Sequence, residues 1–105
     1  MVRGDVFGLP PPRSARGREQ RGARYAVVVK ADEFLHLSTT IVAPTSTSAT
    51  AATFRPVISV GGEDTRVLVE QTTVVDPRRL GQSAGRLEVH ELLAVDSALA
   101  LILGL

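Results

Sequence analysis

The chain has 105 residues, a formal net charge of +1, 44% hydrophobic residues, two histidines and no cysteine. Its length points to one domain with a modest core, and its apolar content excludes a chain disordered throughout. Without cysteine there is neither a disulfide framework nor a thiolate metal site, and His36 and His90 have no metal-ligand spacing.

From the N-terminus, Val2–Leu9 reads as a short strand ended by Pro10-Pro11-Pro12, because consecutive prolines forbid both a helix and a central strand. Residues 10–23 then read as a loop of about fourteen residues, long enough in a compact domain to expect a function. Five arginines (Arg13, Arg16, Arg18, Arg21, Arg24) fall within it and at its end, against the single acid Glu19. That segment carries +4, which leaves −3 on the rest of the chain and points to a phosphate-rich partner.

Arg24–Lys30, with Tyr-Ala-Val-Val-Val at its centre, has the composition of a strand buried on both faces. Residues 31–37 read as a turn or a single helical turn. Ser38–Ala43 reads as a third strand that Pro44 ends, followed by a small-residue loop over Thr45–Ala52. Thr53–Val60 is expected to be a fourth strand, with Pro56 marking an edge or a bulge. Gly61-Gly62-Glu63-Asp64 then turns the chain into Thr65–Glu70, whose alternation makes a hairpin partner. Asp76–Leu80 reads as a turn or 3₁₀ piece, and Gly85–Leu87 as a last short strand.

The period changes at Glu88. Leu92, Val95, Leu99 and Ile102 recur at helical spacing, with Glu88, Glu91 and Asp96 assigned to other faces and Gly104 as a stop. Ala98–Leu103 is apolar almost all round, so part of it is expected to meet a second subunit. No apolar run approaches a membrane span and the N-terminus lacks a signal-peptide pattern, so a cytoplasmic protein is expected. Strands followed by one helix predict a small bent antiparallel sheet or barrel with a helical cap.

Several motifs stand in a fixed order. Arg-Gly-Asp-Val (Arg3–Val6) opens the chain, and Gly-x-Glu-Gln-x-Gly-x-Arg (Gly17–Arg24) precedes the valine run. Ile-Val-Ala-Pro-Thr-Ser (Ile41–Ser46), Val-Leu-Val-Glu-Gln (Val67–Gln71), Val-Asp-x-x-Arg-Leu (Val75–Leu80), Gly-Arg-Leu (Gly85–Leu87) and Val-Asp-x-Ala-Leu-x-Leu-x-Leu-Gly-Leu (Val95–Leu105) follow. Each is weak alone; together they resemble the MazF/PemK family of toxin endoribonucleases over essentially the whole chain, as a single domain spanning residues 1–105.

The resemblance implies a mainly β (α+β) fold, a small SH3-like antiparallel β-barrel with a C-terminal α-helix, assembled as a homodimer. It also implies cleavage of single-stranded RNA without metal or cofactor, by attack of a ribose 2′-OH, and a cognate antitoxin whose acidic tail blocks the groove. Carried over by position, the catalytic arginine is Arg24, and the catalytic threonine falls on Ser46, which keeps the hydroxyl. An acid used by some members falls on Glu70. Arg24-Tyr25 stands for the family's Arg-Pro, Phe7-Gly8 for its aromatic pair and Thr73 for a basic residue; these departures bear on rate and sequence preference.

The residues support that chemistry independently. Attack by the 2′-OH needs a base, a cation for the phosphorane and an acid for the leaving oxygen. A guanidinium forks onto two phosphate oxygens but is a poor base at neutral pH, which suits Arg24 to the middle role. Glu19 and Glu70 are the two candidates for the base. Arg16, Arg18, Gln20, Arg21, Thr45 and Thr47 are candidate RNA contacts. Two other classes remain: a catalytically weak or inactive SH3-like module binding nucleic acid or an acidic peptide, and a gyrase poison on the same fold, which the absence of tryptophan opposes.

Overall fold

The structure, a computed structural model, describes residues 1–10 and 24–105. Its strands are β1 (Asp5–Gly8), β2 (Tyr25–Val28), β3 (Thr40–Ser46), β4 (Val57–Val60), β5 (Glu63–Val67), β6 (Thr73–Val75) and β7 (Ser83–Arg86), followed by helix α1 (Val89–Leu103). They form one antiparallel sheet in the order β4-β5-β3-β2-β1-β7, with β6 also paired to β3. The sheet curls into a half-barrel with the helix packed on it, as the mainly β reading expected.

β2 is central because its sequence can be buried on both faces. Val27 joins Val6, Ala43, Ile58, Val67, Val69, Leu87, Val95 and Ala98 in the main core beneath the helix. Ala26 and Val28 face the other way, with Val42, against Phe7, Leu9, Leu35, Val75 and Leu80. Burying a valine of this kind contributes on the order of 1.5–3 kcal/mol.

The third strand departs from expectation. Pro44 does not end it; β3 runs on through Ser46. On one side β3 pairs with β2 throughout its middle, while on the other it pairs with β6 over Thr40–Val42 and with β5 over Thr45–Ser46. Pro44 sits where that second partner changes, so its missing N–H interrupts no continuous ladder, and its carbonyl accepts from Leu68 N at 2.8 Å. Thr45 and Ser46 are therefore buried strand residues rather than loop residues.

The β4–β5 hairpin is tighter than expected. Val60 pairs with Glu63, leaving Gly61 and Gly62 as the two-residue turn, with φ of +59° and +82°. Positive φ at both positions suits the right-handed twist of the flanking strands and requires glycine. β4 begins after Pro56, so residues 53–55 lie in a turn instead of a strand, and β5 ends at Val67 in a 3₁₀ turn over Val69–Gln71. The 3₁₀ pieces at Asp32–Phe34 and Pro77–Arg79 fall where turns were expected.

The helix starts and stops as read, with Glu88 at the N-cap and Gly104 at the C-cap with φ +72°. Its packed face differs. Glu91, Val95 and Ala98 are buried, with the expected Leu92 and Leu99 packed at the border, so Glu91 lies on the core side and Ile102, 39% exposed, lies outside it. The carboxylate explains this: Oε1 accepts from Glu88 N and Oε2 from Ser59 N, both at 2.8 Å. One acid thus closes the helix start and ties it to β4.

Candidate active site

The C-terminal end of β3 is a corner where the start of β2, the 3₁₀ turn at 69–71 and the loop after Ser46 converge. Arg24 stands just before β2, with its carbonyl accepting from Leu9 N at 2.9 Å. In the β2–β3 ladder Val29 N donates to Ile41 O at 2.9 Å, so by alternation Tyr25 and Thr45 form a pair of the same bonded type. Yet Tyr25 N donates to the Thr45 hydroxyl, at 3.0 Å, and not to its carbonyl. The carbonyl so released accepts a long hydrogen bond, 3.4 Å, from Arg24 Nε. The break in the ladder next to Pro44 is what turns the Arg24 guanidinium toward the end of β3.

Ser46 pairs with Arg66 of β5, and only 5% of it is exposed. Its hydroxyl accepts from Ser48 N at 3.3 Å and shares a 3.2 Å hydrogen bond with the Ser48 hydroxyl. The oxygen is thereby fixed against the exposed Ser48.

Glu70 was expected on an alternating strand. It lies instead on the 3₁₀ turn, with its side chain 23% exposed. Its Oε2 accepts from Arg55 Nε at 3.1 Å and Nη2 at 2.7 Å, while Oε1 is buried without a well-formed hydrogen bond among the described residues. Burial alone would raise the carboxyl pKa, but the hydrogen bonds and charge of Arg55, with a backbone N–H and the Gln71 side chain, outweigh it and hold Glu70 below the ordinary glutamate value. Arg55 also donates to Thr50 O at 3.1 Å, and its own carbonyl accepts from Arg66 Nη1 at 3.0 Å.

Of the expected site residues, Arg24, Thr45, Ser46 and Thr47 thus meet at the end of β3, while Glu70 lies on the 3₁₀ turn that joins β3 from its other edge, where Leu68 N donates to Pro44 O. Thr47 is exposed and open to a ligand. Thr45, expected as an RNA contact, is fully buried with its hydroxyl committed to Tyr25, so its side chain has no surface to offer. Glu19, Arg16, Arg18, Gln20 and Arg21 lie outside the described residues. His36 and His90 are exposed and away from this corner. Sequence reasoning missed Arg55, Arg66 and Ser48. For Arg66 a signal existed: it stands in an alternating strand paired back to β3. Arg55 had none, since its partner Glu70 is fifteen residues away.

Residues 2–103 match the family described as PemK-like, MazF-like toxins of type II toxin–antitoxin systems. The chain belongs to this family. A Mycobacterium tuberculosis protein designated a toxin, Rv3098A, is 39% identical to it over 106 aligned positions, covering 100% of this chain and 99% of the relative. Among solved structures, a mycobacterial endoribonuclease in complex with its cognate antitoxin superposes with a TM-score of 0.80 at 18% identity, covering 100% of this toxin and 96% of that chain. The Mycobacterium tuberculosis toxin MazF-mt6 gives 0.74 at 17% identity, covering 98% of each chain. A MazE–MazF complex from Deinococcus radiodurans gives 0.74 at 18%, covering 100% and 96%. At these identities the likeness establishes that the toxin shares the fold of those proteins. No helix among its described residues is long and apolar enough to cross a membrane.

Proposed function

We propose that this toxin is a metal-independent, sequence-specific endoribonuclease that cuts single-stranded RNA by attack of the 2′-OH on the adjacent phosphate. The observation that carries the reading is the convergence at the end of β3. The Arg24 guanidinium is anchored on the Thr45 carbonyl there, Ser46 follows directly, and the turn that carries Glu70 packs on the other edge of the same strand. Arg24 stabilises the developing phosphorane charge, and the Ser46 hydroxyl donates to a phosphoryl oxygen. Glu70, held in its ionised form by Arg55, takes the 2′-OH proton; Glu19 is the alternative base. Thr47, Arg16, Arg18, Gln20 and Arg21 contact the RNA, and Thr45 acts by positioning Arg24.

The toxin works in the cytoplasm as a single domain over residues 1–105. Its cognate antitoxin covers the site with an acidic tail, and the toxin forms a homodimer. Support for the dimer comes from the end of α1 and the terminus, where Leu101 is 60%, Leu103 64% and Leu105 91% exposed. Light scattering at micromolar concentration is expected to give twice the mass of the chain.

The test of activity is cleavage of single-stranded RNA of mixed sequence in EDTA, with 5′ ends mapped by sequencing. Wild type is expected to cut at a short motif, and Arg24→Ala to lose cutting by at least a hundredfold while keeping its circular dichroism spectrum. Full activity in Arg24→Ala would overturn the site. One observation favours a second reading, a binding module with little turnover: the Ser46 hydroxyl is buried and bonded internally. RNA retention without any new 5′ ends would select it.

A further inference from the structure

Among the described residues, Arg55 is a heavily committed side chain to which the sequence assigns no task. Its guanidinium takes one oxygen of Glu70 with two N–H groups, at 3.1 and 2.7 Å, and its third nitrogen takes the Thr50 carbonyl at 3.1 Å. The backbone of the same residue closes the turn twice, Arg55 N donating to Ala52 O at 3.0 Å and Arg55 O accepting from Arg66 at 3.0 Å. The guanidinium also lies 5.4 Å from the centroid of the Phe54 ring, which covers one of its faces. Such a fork fixes the plane of a carboxylate as well as its charge.

We infer that Arg55 is a positioning residue for the cleavage reaction: by gripping Oε2 with two N–H groups it fixes the plane of the Glu70 carboxylate and favours its ionised form, and it ties the loop after Ser46 to that carboxylate. The inference rests on Glu70 being the base.

The surroundings leave Arg55 this role. β3 brings no charged residue to the turn. On the helix packed against it, Glu91 is turned to the backbone of Ser59 and Glu88, and Asp96 to Arg3. Arg66 of β5 reaches the Arg55 carbonyl, and Arg24 the Thr45 carbonyl. Without Arg55, burial would be opposed only by the backbone and Gln71 hydrogen bonds, and the protonated form of Glu70 would be favoured relative to wild type. A base that protonates at higher pH loses rate on the acid side of the profile alone, whereas a loop that loses shape loses rate at every pH.

The experiment compares full-length wild type, Arg55→Met and Arg55→Lys. Two quantities are read: the carboxyl ¹³C titration of Glu70, which needs no turnover, and the pH dependence of kcat/KM on a fluorophore-labelled single-stranded RNA. Arg55→Met is expected to raise the Glu70 midpoint by at least one unit and to move the acid limb with it. The rate is then about tenfold lower on that limb, with recovery toward alkaline pH. Arg55→Lys, which keeps the charge and loses the fork, is expected to shift both by less in the same direction, and it carries the test should Arg55→Met not fold. An unmoved midpoint overturns the hold of Arg55 on Glu70 and leaves the base assignment standing. A moved midpoint with an unmoved acid limb overturns Glu70 as the base, and with it the place of Arg55 in the reaction.

Discussion

Replacing Glu91 tests how the helix and the sheet are joined. Its carboxylate accepts two backbone N–H groups at 2.8 Å, one from Glu88 at the helix start and one from Ser59 in β4. A hydrogen bond to a charged group contributes roughly 1.5–3 kcal/mol. Glu88 and Ser59 are exposed residues, so water can replace part of what is lost, and the lower half of the range applies. Glu91→Ala is therefore expected to cost roughly 3–4 kcal/mol, including a few tenths from the negative charge at the helix N-terminus. For a domain of this size that lowers Tm by on the order of 12–25 °C. Glu91→Gln keeps the length but turns an amide N–H₂ toward one of the two donors, so about half of the loss is expected. Thermal unfolding followed at 222 nm, with urea titration for ΔG, measures both. A Glu91→Ala protein within about 0.5 kcal/mol of wild type would refute the reasoning, as would Gln and Ala variants of equal stability.

Thr45→Val keeps the volume but leaves Tyr25 N without its hydroxyl acceptor, at roughly 1–3 kcal/mol, unless that N–H recaptures the Thr45 carbonyl. In the second case Arg24 has to share its anchor with Tyr25, and RNA cleavage should then fall at least tenfold in Thr45→Val with the stability cost small, while Thr45→Ser stays near wild type. Equal cleavage by the two variants would count against the positioning role. Acid dependence follows from carboxylates held below their ordinary values. Asp5 is so held because the Val2 N–H and Arg86 outweigh its burial, and Glu70 because Arg55 does. A lowered folded pKa stabilises fully above the unfolded values of 3.8 and 4.5 and is lost as pH falls through the folded ones. The destabilisation caused by Glu70→Gln should thus be visible by urea titration at pH 7 and diminish progressively as pH falls below 4.5. The exposed Asp76, held by the side chain and backbone N–H of Arg78, should titrate at about 2 by ¹³C NMR. Gly62→Ala meets open space at φ +82°, so its expected loss of about 1 kcal/mol in urea titration reports backbone strain alone.

Much of the fold is legible in the chain because it is written locally. The valine run of β2, the Gly61-Gly62 turn and the Glu88-to-Gly104 helix each follow from composition and period within a few residues. The order of short motifs, none of them informative alone, was enough to indicate the PemK/MazF family. The residues Arg24, Ser46 and Glu70 could be singled out through that likeness.

What the chain by itself did not disclose depends on partners distant in sequence. Pro44 reads as a terminator until β3 is seen to change neighbours beside it. Glu91 reads as a solvated acid until Ser59 is brought to it across 32 residues. Thr45 reads as a loop hydroxyl until Tyr25 takes it, and Arg55 as an ordinary surface charge until Glu70 comes within 2.7 Å. Local periodicity encodes which residues are buried and which elements they form. Which polar atom faces which is set only when the sheet curls, because a hydrogen bond depends on tenths of an ångström between groups that the sequence leaves far apart.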